Sequence, residues 1–272
     1  MAVIQQTPML LNLGCGQRFH RAWHNLDLAP ADLSVRAWDV ARPLPFADGA
    51  FDAVYHSHLL EHLPRTSATA FLRECRRVLK PGGILRVVVP DLEGIARQYL
   101  LALKDAAEDA HAEDRHQWAV MELLDQTTRE SAGGAMLPFL QEDRCELAWY
   151  RLGSDGSVIR KHHERILPEP TWRDRVKAWL FGSWRERMVR WLLGDEYRLL
   201  ELGRFRRSGE IHHWMYDRIS LSALLRDAEF VNIRCVAPDE SAIEAWNEYQ
   251  LDAGADGVVH KPDSLFVEAQ RP

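Results

Sequence analysis

The sequence predicts an α/β protein with a doubly wound, mostly parallel seven-stranded sheet that is interrupted by a helical insertion. Short apolar runs separated by helices or turns fill the first 90 residues and return after residue 211. The β-branched run at 84–89 has the composition of a central parallel strand that is covered on both faces. Between these two parts lies a helix-forming block that is rich first in Ala and Leu and then in Trp and Arg.

Each element is predicted from local pattern and punctuation. The seven predicted strands are 9–13, 25–28, 35–40, 51–55, 84–89, 231–236 and 264–269. A helix is predicted over 66–80, because apolar residues recur there at helical spacing before a Pro-Gly-Gly stop. Two more helices are predicted within 91–130, and Ser220 is expected to cap a helix that runs to Glu229. Residues 1–95 and 211–272 are therefore predicted to form the α/β core, with 96–210 as a helical insertion or cap.

The first three strands are connected by unusually short segments. Ten residues separate Gly16 from Asp27, and eleven separate Asp27 from Asp39. Parallel strands normally need a crossover of a dozen or more residues, usually with a helix. We therefore expect one face of the sheet to lack its usual helices and to be covered by the insertion or by a second subunit.

Composition limits the classes of function. A net charge of −6 argues against a general nucleic-acid binder. The four cysteines are far apart and show no metal-ligand spacing, so reduced thiols are expected. The N-terminus lacks a signal peptide pattern, and no apolar run approaches the length of a membrane span. These features predict a cytoplasmic protein.

A glycine-rich turn and two aspartates carry the chemistry of the N-terminal part. The first strand runs into the turn LNLGCG (11–16), where Gly14 and Gly16 allow a backbone to approach a ligand. Asp27 ends the second strand, where a carboxylate can accept hydrogen bonds from ribose hydroxyls. Asp39 follows the third strand and could receive the amine of an adenine. The alternatives are an ordinary tight turn and solvated aspartates at strand ends.

Taken together, these features resemble the class I methyltransferases that use S-adenosylmethionine (SAM), of the methyltransferase type 11 kind. The segments LPFADGAFD (44–52), YHSHLLEHL (55–63) and RECRRVLKPGG (73–83) extend the resemblance to residues 9–92. The resemblance implies a Rossmann-like fold and SAM as the cofactor. The cofactor-binding residues it implies are Asn12, Gly14, Cys15, Gly16, Asp27, Asp39, Val40, His56, His58 and His62.

The C-terminal segments 209–218 and 261–268 resemble a bacterial methyltransferase subgroup whose acceptors are poorly defined, which suggests a surface-polysaccharide context. His212 is the predicted general base, with His213 and Asp217 as further catalytic candidates. A structural histidine at a domain seam and a helix cap are the alternatives for His212 and Asp217. The predicted acceptor-contacting residues are Tyr216, Arg160 and His163.

Two other patterns leave alternatives open. His58 and His62 flank Glu61 at helical spacing, which resembles a zinc pair, but the family resemblance favours contact with the cofactor, so no metal is predicted. The segment 172–193 is amphipathic and rich in Trp and Arg. It could contact a membrane peripherally, form a lid over an anionic acceptor, or pack on the bare sheet face.

The predicted function is methyl transfer from SAM to oxygen, less often nitrogen, of a small molecule or glycan precursor, with a histidine base. One alternative is a non-catalytic SAM-fold subunit that binds or assembles. Another is a nucleotide-dependent oxidoreductase, in which Asp39 and the 44–52 segment would have no role. No nucleic-acid partner is expected, because the chain lacks the tetrapeptide and Pro-Cys signatures of base methylation. A homodimer is left open.

Overall fold

A computed structural model describes residues 8–107, 112–153 and 184–272. The strands are β1 (Leu10–Leu13), β2 (His24–Asp27), β3 (Val35–Ala37), β4 (Phe51–Ser57), β5 (Leu79–Pro90), β6 (Val231–Cys235) and β7 (Ser264–Gln270). They form one sheet in the order β3-β2-β1-β4-β5-β7-β6. β7 is antiparallel to both neighbours, and the other pairs are parallel. The predicted doubly wound, seven-stranded fold is confirmed.

The helices follow the predicted distribution. They are α1 (Arg65–Val78), α2 (Leu92–Ala106), α3 (Glu113–Thr128), α4 (Met136–Gln141), α5 (Trp184–Leu193), α6 (Tyr197–Arg206) and α7 (Arg218–Asp227). Residues 146–153 are also helical. Short 3-10 turns lie at Leu60–His62, Gly194–Glu196 and Trp246–Tyr249.

The prediction that Ser220 caps α7 is wrong. The Asp217 carboxylate accepts hydrogen bonds from the backbone N–H of Ile219 and Ser220, and the Ser220 hydroxyl accepts one from the Asp217 N–H. This is a capping box, in which both side chains satisfy backbone donors of the first turn. The helix therefore begins at Arg218, two residues before the predicted N-cap.

The connections between the first three strands contain turns and bends and no helix, as their length predicted. Asn25 stabilises the first of these connections. Its side chain donates to the carbonyls of Trp23 (2.8 Å) and His20 (3.0 Å) and accepts from the Asn12 amide (3.2 Å). Polar side chains thus take the place of a crossover helix in holding β1 beside β2.

One face of the sheet packs against α1 and α7. Helix α1 buries Phe71, Leu72 and Cys75 against strand residues such as Val54 and Val87. All of these belong to one continuous apolar cluster. This face has the helical cover that is usual for a parallel sheet.

The other face is covered by the chain's own segment between β6 and β7. Ile243, Trp246 and Leu251 pack there against Trp23 and Tyr55. The expectation that the insertion or a second subunit covers this face is therefore wrong. The covering segment has almost no regular secondary structure, so its sequence shows no apolar periodicity from which this packing could be predicted.

In the insertion, α2 packs along α3. The insertion also has an apolar cluster of its own, whose members are Trp118, Met121, Met136, Phe139, Leu140, Cys145 and Ala148. Within it, Arg151 Nε contacts both carboxylate oxygens of Glu122 at 2.6 and 2.7 Å. The domain boundaries at residues 95 and 211 stay predictions.

The amphipathic segment 172–193 falls partly outside the described residues. Its described part is α5, where Trp184 is 66% and Trp191 81% exposed. For this part, packing on the bare sheet face is excluded, because other residues cover that face. The predicted acceptor contacts Arg160 and His163 lie outside the described residues. Where helices are described, none is both long and apolar enough to cross a membrane.

Candidate functional site

A cavity of about 520 Å³ lies at the carboxyl ends of β1 and β4. Its lining residues are Asn12, Gly14, Cys15, Gly16, Gln17, Arg18, Tyr55, Ser57, His58 and Lys261. The strand order reverses direction between β1 and β4. Crevices at such a switch point are where doubly wound sheets bind nucleotide-like ligands.

The turn after β1 shapes one wall of this cavity. Gly14 has φ +62°, and a Cβ there would come within 2.8 Å of Leu59, so only glycine fits without a shift. Gly16 has φ +54°, but a Cβ there would meet nothing within 4 Å. The first glycine therefore lets the chain pack tightly, whereas the second lies beside open space where a ligand can approach the backbone.

Asp27 is fixed against this turn. Its Oδ2 accepts a hydrogen bond from the Gly16 N–H at 2.8 Å, and its Oδ1 accepts one from the Ala29 N–H at 2.9 Å. The carboxylate is partly exposed. The predicted ribose-binding residue thus lies directly against the glycine-rich turn, and two backbone donors set its orientation.

Asp39 and Val40 are not among the residues that line the cavity. β3 ends at Ala37, and the exposed Asp39 carboxylate accepts from the Ala41 N–H at 2.9 Å. Val40 packs at the edge of the core on the α1 side of the sheet. Their predicted contact with an adenine stays a prediction.

The prediction that His56 contacts the cofactor is wrong. Its ring is fully buried beneath α1, 5.2 Å from the Phe71 ring. β4 extends to Ser57, so side chains alternate there, and Tyr55 and Ser57 line the cavity while His56 points into the opposite core. Burial lowers the pKa of His56 to about 3, so the ring is neutral.

His58 lines the cavity and is held from two sides, while its predicted contact with the cofactor stays a prediction. Its backbone has φ +49°, an uncommon conformation for a residue other than glycine. Its Nε2 lies 2.8 Å from the Ser264 hydroxyl, and its Nδ1 lies 3.4 Å from Oε1 of Glu61. The ring is therefore oriented by groups from two separate segments of the chain.

Behind His58 lies a buried cluster formed by Glu61, His62 and His212. One ligand-type atom from each lies within 4.8 Å of the others, and the two imidazole rings are 4.7 Å apart between centroids. Burial raises the pKa of Glu61 to about 8 and lowers that of His212 to about 3. The predicted base His212 thus lies in this cluster and is not among the residues that line the cavity.

Backbone hydrogen bonds hold the cluster together. The His213 N–H donates to the Glu61 carbonyl at 2.7 Å, and the His212 N–H donates to the Gln126 carbonyl at 2.9 Å. The half-buried His213 thus contributes its main chain to the site. Its predicted catalytic role stays a prediction.

The remaining candidates lie close to this cluster. The Tyr216 hydroxyl is buried and makes no hydrogen bond to a described residue, and burial raises its pKa to about 12. Backbone hydrogen bonds from the first turn of α7, that of Ser220 foremost, lower the pKa of Asp217. Asp217 is therefore an ionised helix cap, which is the structural alternative considered for it.

Sequence reasoning missed two residues of the site. Glu61 was interpreted only as the residue between two histidines, although a fully buried carboxyl is rare. Lys261 lines the cavity, and its charge acts on His58 and Glu61. The signal for Lys261 was its position at the start of the C-terminal segment that carried the weaker resemblance.

Residues 11–87 match the family model described as a methyltransferase domain. Over 62 residues the chain is 42% identical to the 2-methyl-6-phytyl-1,4-hydroquinone methyltransferase of Synechocystis, which covers 22% of this chain and 19% of that protein. The match thus spans about a fifth of the relative's length. The predicted resemblance to class I methyltransferases is confirmed for this N-terminal part.

Solved structures of methyltransferases are also similar to this chain. A SAM-dependent methyltransferase from Thermotoga maritima is 12% identical, with a TM-score of 0.40 over 97% of this chain and 83% of that one. The methyltransferase CalH, solved with S-adenosylhomocysteine (SAH), is 21% identical, with a TM-score of 0.24 over 30% of this chain and 32% of that one.

Proposed function

We propose that this protein binds SAM in the cavity and transfers its methyl group to an oxygen, less often a nitrogen, of a small molecule or glycan precursor. One observation carries the proposal. A glycine turn that is fixed to Asp27 opens onto a cavity of about 520 Å³, within the segment that matches a methyltransferase domain.

The residues around the cavity fit an adenosyl ligand. The open space beside Gly16 leaves its backbone accessible, and Asp27 next to it supplies a carboxylate for the ribose hydroxyls. When bound, SAM supplies an electrophilic methyl group on a sulfonium. The protein then has to orient the acceptor atom and take up its proton, and orientation alone can supply much of the rate.

The cavity wall supports His58 as the proton acceptor, in the role that the sequence assigned to His212. His58 lines the cavity, and its contact with Ser264 fixes the ring. Among the histidines that the structure describes, His58 is the one on this wall. A general base at this place contributes about 10²- to 10⁴-fold to the rate.

The test is transfer of a labelled methyl group from SAM to the small-molecule fraction of a cell extract. The His58→Gln variant should lose about 10²-fold or more of this transfer, and this loss should be much larger than the change in its affinity for SAH, which is measured alongside because His58 also lines the cavity. His116→Gln is a matched control, because His116 is a half-buried histidine that packs on Tyr99 in the insertion.

Two outcomes would contradict parts of this proposal. Full transfer by the His58→Gln variant would remove His58 as the base. SAH binding without transfer to any fraction would instead favour a non-catalytic subunit that binds SAM.

A further inference from the structure

A cluster of polar groups lies beside the cavity, and in the proposed methyl transfer its only role is the contact of Glu61 that helps to orient His58. Glu61 is 0% and His212 5% exposed, and His62 lies between them in space. The cluster combines one carboxylate with two imidazoles from segments that are 150 residues apart in the chain. This is the donor composition of a transition-metal site.

Three buried polar atoms of this cluster make no hydrogen bond to another described residue. Two of them are the carboxylate oxygens of Glu61, whose nearest ion-pair contact is His58 Nδ1 at 3.4 Å. Nδ1 of His212 is likewise buried without a hydrogen bond in the described structure. Each such atom costs about 1–3 kcal/mol if nothing binds it. Three such atoms in one cluster favour a cationic ligand, since each of them can act as an acceptor.

The hydrogen bond of His62 prepares its ring for a metal. Nδ1 lies 3.0 Å from the carbonyl oxygen of Ile211, and a carbonyl can only accept, so Nδ1 carries the proton. Nε2 of the neutral ring then has its lone pair available. Metal-binding histidines are typically oriented in this way, by donation of the other N–H to a carbonyl or carboxylate.

The surrounding charges permit a cation. Three carboxylates, those of Glu61, Asp263 and Asp125, lie around the cluster together with two cationic side chains, Lys261 and Arg129. Arg129 is already paired with Asp125 at 2.8 Å. With Glu61 deprotonated, as a metal ligand must be, the formal balance of these five groups is negative by one charge.

We propose that Glu61, His62 and His212 bind a divalent transition-metal ion, with zinc as the ion that best fits two imidazoles and one carboxylate. Zinc ligands at about 2.0–2.1 Å from the ion lie roughly 3.3 Å from one another. The three atoms, now within 4.8 Å, would draw together by up to about 1.5 Å.

Such a site has consequences for the cavity. Three protein ligands leave at least one coordination position for water or an acceptor oxygen. His212 would then hold the ion with its lone pair and would not act as the base. The inference stands apart from the proposed methyl transfer, because metal binding can be measured without SAM.

The experiment is titration of the chelator-treated full-length protein with Zn²⁺ by calorimetry, and with Co²⁺ by visible absorption. One equivalent should bind, with the intense visible bands of a low-symmetry Co²⁺ site, and Zn²⁺ should raise the midpoint of thermal unfolding. Glu61→Gln, His62→Gln and His212→Gln should each lower the zinc affinity by 10-fold or more.

The controls keep the result decisive. His116→Gln removes a histidine outside the cluster and should bind zinc as the wild type does. Glu61→Gln preserves size and fold, so its loss of binding cannot be assigned to unfolding if its circular dichroism is unchanged. Absence of stoichiometric binding by the wild type, or wild-type affinity in all three cluster variants, would overturn the metal site and leave SAH binding unaffected.

Discussion

Two buried polar clusters, one around Arg86 and one formed by Glu61, His62 and His212, differ in whether their polar atoms have hydrogen-bond partners within the protein. Around Arg86, each donor of the guanidinium has a protein acceptor, whereas around Glu61 the acceptors have no described donors. Burial alone therefore does not distinguish a structural cluster from a ligand site. Buried polar atoms that lack hydrogen-bond partners do distinguish the two, because such atoms are rarely retained in a protein core without a ligand or a chemical role.

The Arg86 cluster is complete within the chain. The five donated bonds go to Asp252 (2.8 Å), Glu268 (2.9 Å) and the carbonyls of Glu240 (2.8 Å), Ala237 (3.1 Å) and Pro238 (3.1 Å). The guanidinium also lies 4.4 Å from the Trp246 ring. Because four of these five acceptors belong to the segment between β6 and β7, Arg86 fastens that segment to the sheet face that lacks helices.

The largest effect is expected from breaking the satisfied cluster. Arg86→Met leaves the buried Asp252 without its cation and Glu268 with only Arg234, and it should lower the free energy of unfolding by about 3–5 kcal/mol. Urea unfolding measures this. Arg234→Met is the control, because Arg234 contacts Glu268 from the surface at 46% exposure and should cost less than about 1 kcal/mol. Equal losses in the two variants would contradict a structural role for Arg86.

The buried His56 tests whether unpaired polar atoms always indicate a ligand site. Its ring nitrogens have no described hydrogen-bond partner, yet they face the apolar core, where no second ligand-type group joins them. The pKa of about 3 in the folded protein lies below the unfolded value near 6.5. Protons therefore bind the unfolded chain first, and stability is lost as the pH falls from about 6.5 towards 3.

Replacing His56 removes this pH dependence. The advantage in unfolding free energy of His56→Leu over the wild type should grow by about 2–3 kcal/mol between pH 7 and pH 4.5. Urea titrations at both pH values measure the difference. A constant difference would show that His56 takes up a proton as readily in the folded protein as in the unfolded chain. That result would contradict its burial in the apolar core.

The smallest expected effect is on the stability of the unsatisfied cluster. In the presence of a chelator, Glu61→Leu should change the free energy of unfolding by less than about 1 kcal/mol or raise it, since it removes a buried carboxyl that has no donors. Glu268→Leu is the matched comparison at similar burial and should cost several kcal/mol, because it removes one of the two carboxylates paired with Arg86 and leaves the Ala242 N–H without its acceptor. Similar losses of unfolding free energy in both variants would contradict the proposed difference between the two clusters.

Local signals predicted most of the fold, and long-range packing accounts for what they missed. The seven strands and the turn at Gly14 follow from apolar runs and glycine placement, which are properties of short segments. His56 was misplaced because β4 was predicted to end at residue 55, which turned a core position into a loop position. The cover over the second sheet face depends on Arg86 and an irregular segment, and neither shows a periodic pattern.

The candidate site was predictable only in part for the same reason. The glycine turn and Asp27 lie within 16 residues of one another, and their strands are neighbours, so their meeting could be expected. The cluster at Glu61 needs His212, whose segment is held in place by backbone hydrogen bonds from His213 to Glu61 and from His212 to Gln126. Spacing along the chain cannot show that meeting.

The most direct test of the account is a calorimetric titration of the folded protein with SAH. The wild type should bind one equivalent, and Asp27→Ala should weaken the affinity roughly 5- to 150-fold, which corresponds to about 1–3 kcal/mol for hydrogen bonds to a charged group. Asp32→Ala, which removes a surface carboxylate bonded to Ser34, should bind as the wild type does. Absence of heat with the folded wild type, or equal affinity in the Asp27 and Asp32 variants, would contradict an adenosyl site at this turn.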